Sequence, residues 1–198
     1  MHGEADTSPS DRRRFWFVTQ NADKYREARR TLSPFGIRIR MLTRPKTEIQ
    51  SKNLEEIAKF AAEDAAKKYH RTVVVEDSGL FVRKLNGFPG PFSSYVYATV
   101  GCEGLLQLMN RGEDRDAYFQ ASLAVATPRR LERTFTGKTY GTVSRRALGT
   151  SGFGFDPIFV PKGTRRTFAQ GGVKFKDRYS HRAEAFRQLA VWSAKTDI

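Results

Sequence analysis

Four short stretches of this 198-residue chain carry side chains that could act together chemically. The first, Thr19-Gln20-Asn21-Ala22-Asp23-Lys24, stands where an apolar run gives way to a helical pattern. A helix N-terminus presents unpaired N–H groups and the positive end of the backbone dipole, so anions bind there. Thr19 and Asn21 can donate to phosphate oxygens and Lys24 adds a full charge; equally, Asn21 can be an ordinary N-cap and Lys24 a solvated helix residue. The segment lacks the glycines of a Walker A loop. The second stretch, Glu76-Asp77-Ser78-Gly79, ends a β-branched run. Ligand sites in α/β sheets lie beyond the carboxyl ends of strands, and a carboxylate there is the hard oxygen ligand that Mg²⁺ takes. A turn-initiating Asp with a Ser-Gly partner explains the same residues without a ligand. Adjacent strand residues face opposite ways, so Glu76 and Asp77 are not expected to share one site unless the strand breaks there.

The third stretch is Gly152-Phe153-Gly154-Phe155-Asp156-Pro157. Its glycines permit close backbone approach to a flat ligand, its rings could stack on a base, and Asp156 could accept from ring N–H groups. A loop with aromatic core anchors fits as well. The fourth pairs Lys176 with Ser180-His181-Arg182. It sets cations in the first turn of a helix, against the dipole, which suits a nearby anion or polar ligand, or simple exposure.

The elements that must position these residues follow from periodicity. Phe15 to Thr19 reads as a buried strand and Asn21 to Leu32 as a helix, with Ala22, Tyr25, Ala28 and Leu32 on one face. Ile37, Ile39 and Met41 alternate with arginines as a half-exposed strand. Leu54 to Tyr69 is a second helix capped by Asn53, and Thr72 to Val75 a strand buried on both faces. Glu76 to Gly79 is then a turn and Leu80 to Val82 a further short strand. Gly104 to Asn110 is a short helix, Tyr118 to Thr127 and Arg133 to Thr136 are antiparallel strands, and Gly137 to Arg145 is another. Pro157 to Val160 is a short strand, and Ser180 caps a last helix running to about Trp192. Early strand–helix alternation with strands clustered later predicts an α/β fold on a mixed sheet, in one domain of two lobes with a cleft between them over residues 14–198. Residues 1–13 read as a polar, basic tail.

Composition excludes several classes. With 39% hydrophobic and 28% charged residues the chain suits a globular protein. No apolar stretch reaches the roughly 18 to 20 residues of a membrane span, and the N-terminus lacks the order of a secretory signal. The lone Cys102 excludes an internal disulfide and favours a reducing cytoplasm. Thirty-five Lys and Arg against 21 acids give a net charge of +14. That points to anionic partners, but the cations come mostly in scattered pairs such as Arg129-Arg130 and Arg165-Arg166, which reads as a basic solvated surface rather than a nucleic-acid track.

Taken in order, seven segments resemble the Ham1-like inosine triphosphate pyrophosphatase family from about Phe15 to Trp192: Thr19-x-Asn21-x-x-Lys24, Glu48-Ile49-Gln50, Val75 to Leu80, Asn86 to Gly90, Gly152 to Phe159, Thr167-Phe168-Ala169 and Ser180-His181-Arg182. The Leu54-Glu55-Glu56 helix start and Phe88-Pro89-Gly90 look most like archaeal members. The resemblance implies an elongated mixed sheet in two lobes around a deep nucleotide-binding cleft, and a homodimer. It implies Mg²⁺-dependent hydrolysis of ITP, dITP or XTP to the monophosphate and pyrophosphate, a house-cleaning reaction, with one metal per subunit and Mn²⁺ as a substitute. Thr19, Gln20, Asn21, Ala22, Asp23 and Lys24 would grip the triphosphate. Glu48 and Asp77 would hold the metal, Asp77 doubling as general base, and Ser78 would touch substrate. Phe153, Gly154, Phe155 and Asp156 would form the base pocket, with Phe155 as the stacking ring. Lys176, His181 and Arg182 would read the 6-oxo edge. No membrane and no obligatory nucleic acid are implied as partners.

Some positions depart from the family pattern. Asp23 sets a negative charge beside the phosphates unless it points outward. Phe155 stands for the usual Tyr or Trp, and Gln170 for a Glu. Glu63 occupies a position where relatives often carry Lys, with Lys59 or Lys67 one turn away as substitutes. Two other readings compete: a Maf-like pyrophosphatase of different base preference, and an inactive basic protein that binds nucleic acid.

Overall fold

A computed structural model describes residues 14–109 and 114–196. The tail expected over 1–13 lies outside them. Strand β1 (Arg14–Val18) leads through Asn21 into helix α1 (Ala22–Leu32), and the chain returns as β2 (Arg38–Leu42), parallel to β1. Helix α2 (Leu54–Tyr69) crosses to β3 (Val73–Val82), also parallel to β1. From β3 onward the sheet is antiparallel, although α3 lies in the connection between β3 and β5. Two-residue β4 (Pro89–Gly90), β5 (Asp116–Ala126), β6 (Leu131–Val143) and β7 (Phe159–Pro161) complete a sheet of order β2-β1-β3-β5-β6-β7, with β4 pairing off β3. Helices α3 (Ser93–Leu108), α4 (Phe168–Tyr179) and α5 (His181–Ser193) pack around it. The fold is α/β on a mixed sheet. Among the described residues no helix is long and apolar enough to cross a membrane.

Strand alternation divides the interior. Phe15, Phe17, Ile39 and Val74 face α1 and α5, where they meet Ala28, Leu32, Phe186 and Leu189. Val18, Val73 and Val75 face the other way, onto the alanines of α2 at 58, 61, 62, 65 and 66. Those small side chains let the helix lie close on β3 and β5. A third cluster fills the far half of the sheet, with Leu80, Phe119, Phe155, Phe159 and Phe168 among α3, α4 and the β7 end.

Several expected elements differ, among them the strand expected over 157–160, which is β7 shifted to Phe159–Pro161 because Asp156–Ile158 forms a 3-10 turn. Glu76 to Gly79 is not a turn: β3 runs unbroken through it because β5 pairs with every residue from Val73 to Val82. The expected strands 133–136 and 137–145 are one strand, β6, since β5 spans both. The helix expected over 104–110 begins at Ser93, with a break at Gly101, whose φ of 63° no helix tolerates. That break divides the apolar pattern in two. Helix α4 was not expected; Gly171 and the positive φ of Gly172 (74°) weaken its periodicity, yet Thr167 and Gln170 form a reciprocal capping box at its start. A Gln at 170 closes that box, so the departure from Glu is met structurally.

Candidate active site

The carboxyl ends of β1 and β2 and the middle of β3 open into a cleft of about 620 Å³. At one end the turn from β1 into α1 supplies Thr19, Gln20, Asn21 and Lys24. The side-chain oxygen of Asn21 accepts from the backbone N–H of Asp23 and Lys24 at 2.9 and 3.0 Å, and Thr19 Oγ1 accepts from Asn21 N at 3.1 Å. Capping and anion binding are therefore compatible here: the Asn amide hydrogens and the Thr hydroxyl hydrogen remain as donors. Ala22 and Asp23 do not line the cleft. Asp23 pairs with Arg26 at 2.5 Å on the outer side of α1, so its charge points away. Arg44 and Lys46, in the segment after β2, add cations to this end. The sequence reading missed both, although Arg44-Pro45-Lys46 lies one residue before Glu48, with Thr47 between them. Neither Lys59 nor Lys67 reaches the cleft; Lys59 pairs with Glu55 at 2.6 Å.

Asp77 and Glu48 line the same cleft. Because Val75 faces α2 and Val74 faces α5, alternation turns Asp77 to the α2 side and Glu76 to the α5 side. Both still line the cleft, which wraps around β3, so the expectation that they could not share a site gives way. Among the described residues no donor reaches the Asp77 carboxylate. Burial pushes its pKa up to about 6; the charge of Lys24 opposes that shift, and Glu76 reinforces it. Glu48 is more exposed and bonded to Lys46. Two oxygen-donor carboxylates, one of them without a partner, suit a hard divalent cation.

Behind the cleft lies a buried charge network that the sequence reading did not anticipate, centred on Glu27 and Glu76. Arg182 is 2% exposed. Its guanidinium donates to Glu76 Oε1 through Nε and Nη2 at 3.1 Å each, to Ser78 Oγ at 3.0 Å, and to Glu27 Oε2 at 2.8 Å. Glu27 also takes the Ser180 hydroxyl. Lys24 Nζ lies 2.9 Å from Glu76 Oε2, an ion pair by distance though off the hydrogen-bond direction. Burial alone would raise both acids, but Arg182 and then Lys176 hold Glu27 down at about 2, and Arg182 with Lys24 holds Glu76 lower still. His181 is buried and kept neutral, by burial first and then by the charge of Arg182. Its ring stacks on Phe119 at 4.7 Å, and its Nδ1 has no partner among the described residues.

At the other end Asp156 takes Lys176 Nζ at 2.6 Å and the backbone N–H of Phe153 at 2.8 Å, so it closes its own loop. Gly152 (φ 85°) is required there, since a Cβ would lie 2.1 Å from Asp156 Oδ2. Phe155 is 2% exposed and meets Tyr97 edge-on at 5.4 Å, so it is chiefly a core anchor. Phe153 is less buried, with Lys176 Nζ 4.0 Å from its centroid.

The cleft thus joins a cationic loop, two carboxylates and an aromatic corner. Residues 15–192 match the model of the Ham1 family. A dITP/XTP pyrophosphatase of Ignicoccus hospitalis is 46% identical over 179 residues, covering 90% of this chain and 95% of that protein. One of Methanopyrus kandleri is 43% identical over 176 residues, covering 89% and 94%. The structure of a HAM1 protein from Coxiella burnetii superposes with a TM-score of 0.81 at 27% identity, over 92% of this chain and 99% of that one. The chain belongs to the Ham1 family.

Proposed function

We propose that this protein hydrolyses non-canonical purine nucleoside triphosphates, dITP, ITP and XTP, to the monophosphate and pyrophosphate, as a cytoplasmic nucleotide-pool cleanser built as one two-lobed domain over residues 14–198. The observation that carries it is the single cleft that sets Lys24, Arg44 and Lys46 beside Glu48 and Asp77, with Phe153 and the Lys176–Asp156 pair at the other end. The names of its relatives support the substrate class.

Thr19, Gln20, Asn21 and Lys24 hold the polyphosphate through the α1 N-terminus, and Arg44 and Lys46 neutralise its charge. Glu48 and Asp77 would hold Mg²⁺, or Mn²⁺ in its place, which when bound draws charge from the phosphate oxygens. Water adds to the α-phosphorus, the bond to the β-phosphate oxygen breaks, and pyrophosphate departs. The Asp77 carboxylate takes the proton from the attacking water. Phe153 offers the stacking face. Lys176, the neutral His181 ring and the remaining N–H of Arg182 read the 6-oxo edge. Adenine presents a 6-amino donor there, so donors would face a donor and stay unpaired. Ser78 acts through Arg182, which it holds by a hydrogen bond.

A second copy of the chain completes the assembly in this reading, supported by the apolar side chains that α3 and the turn before it leave exposed, Phe92, Tyr95 and Val100. A panel of nucleotides assayed for pyrophosphate release with Mg²⁺ tests the activity. ITP and XTP are expected to turn over at least about 100-fold faster than ATP; equal rates would remove the base-reading assignment, and no turnover of any would remove the function.

A further inference from the structure

Sheet geometry leaves the outer part of one face without a covering helix. On the α1 and α5 side, β1 and β2 are buried under Ala28, Leu32 and Leu189. On the other side α2 lies over β3 and β5, so the outer part of the β1–β2 pair is bare. Alternation places Trp16, Arg38 and Arg40 on that bare face, with Trp16 opposite Arg40 in the register. Arg71, just before β3, reaches over from the side. Its guanidinium carbon lies 4.4 Å from the Trp16 ring centroid, and that of Arg40 lies at 5.7 Å. Next to them, Lys68 sits 5.6 Å over Tyr69. Arg38, Arg40, Lys67, Lys68 and Arg71 are all exposed, and none forms an ion pair among the described residues.

The proposed hydrolysis does not use this cluster. Arg71 and Glu76 are five positions apart along β3 and the residues leading into it, about 16 Å at strand rise. That exceeds the screening length of about 8 to 10 Å at physiological salt, so Arg71 does little for a triphosphate in the cleft, and none of the five cations lines it. Shielding the β2 edge against strand addition needs charges on β2, not Arg71 or Lys68. Stacking on an indole fixes a guanidinium plane and turns its N–H groups outward, which suits phosphate. Unpaired cations interleaved with half-exposed rings are the chemistry that holds a single strand, with phosphates on the cations and bases against the rings. A duplex hides its base faces and would gain nothing from the rings. The linear sequence does not show this interleaving, because Arg40, Trp16 and Arg71 come from three separate segments.

We propose that the bare α2-side face of β1 and β2 binds single-stranded nucleic acid, at a site separate from the nucleotide cleft. The test is fluorescence anisotropy of a labelled 20-nucleotide single strand titrated with the full chain across a KCl series. Saturable binding is expected, weaker to a hairpin duplex of equal charge. Arg40→Ala/Arg71→Ala should weaken binding about tenfold or more and lower the salt slope by about 1.4, at roughly 0.7 for each phosphate no longer neutralised. Release of pyrophosphate from ITP should stay unchanged. Arg38→Ala/Arg40→Ala, confined to solvent-facing edge positions, repeats the measurement if the first variant is unstable. Lys162→Ala/Arg165→Ala removes the same charge elsewhere and should matter little. Equal losses in both sets, tighter binding to duplex, preference for anionic vesicles, or no saturable binding in 100 mM KCl would each overturn the proposal.

Discussion

At the scale of single residues, burial and charge pull neighbouring acids in opposite directions. Asp77 titrates near 6 because burial outweighs the help it receives from Lys24. The folded protein therefore holds that proton more tightly than the unfolded chain, whose value is near 3.8. Stability falls as pH rises between about 4 and 6, and the full cost stands at neutral pH. Without divalent metal, Asp77→Asn should be more stable than the parent at pH 7.5 by about 2 to 3 kcal/mol in urea denaturation, while turnover of ITP drops at least about 100-fold. Full activity in that variant would refute its role as base and ligand. Glu27 behaves oppositely. Its value of about 2 lies below the ordinary 4.5, so its contribution is fully present above pH 4.5 and is lost as pH falls toward 2. Glu27→Gln should cost about 3 kcal/mol at pH 7, and the gap from the parent should narrow between pH 4.5 and 3. A constant gap would show that packing, not charge, holds the site.

Elements decide how closely these residues can meet. β3 passes its mid-strand acids along the cleft because β5 pairs along its whole length, and β4 closes against its far end. That closure leaves no room at Gly79, where an added Cβ would stand 2.0 Å from the Gly90 carbonyl oxygen. The same corner is tied by Leu80 N–H donating to Ser93 Oγ at 2.8 Å, whose hydroxyl donates on to Gly90 O at 2.7 Å. Gly79→Ala should cost roughly 3 kcal/mol as the strands are forced apart, read as a lower thermal midpoint. A neutral change would mean that the β3–β4 contact is slack. Local chemistry announced several elements by itself: Asn53 caps α2, Asn21 caps α1 and Ser180 caps α5. The long strands β3 and β6 were legible only in pieces, because Glu76-Asp77-Ser78 mimics a turn and Gly137 divides the β6 pattern unless a paired neighbour is known.

For the whole molecule, the charge of +14 divides between surfaces with different uses. Of the cations lining the cleft, Lys24 and Lys46 meet carboxylates there, whereas those around Trp16 meet aromatic rings. The aromatic side chains exposed about α3 form another kind of surface. Tyr95 is 71% exposed and Phe92 46%, values that suit burial against a second copy. Sedimentation velocity should give twice the mass of the chain, and Tyr95→Asp should shift it toward the single chain. A monomeric parent would remove the proposed dimer.

The amino-acid sequence by itself determined the α/β class, the caps that start the helices, and the order of the segments that meet in the cleft, since each depends on neighbours a few positions apart. Only the tertiary structure decided which side chains do which work. It turned Asp23 outward and made Phe155 a core anchor. It engaged Arg182 between Glu27 and Glu76, residues 155 and 106 positions away. It brought Arg44 and Lys46 into the cleft that Thr19, Asn21 and Lys24 line. Those outcomes turn on which face of a strand meets which helix, and period and spacing cannot fix that until the whole sheet is assembled.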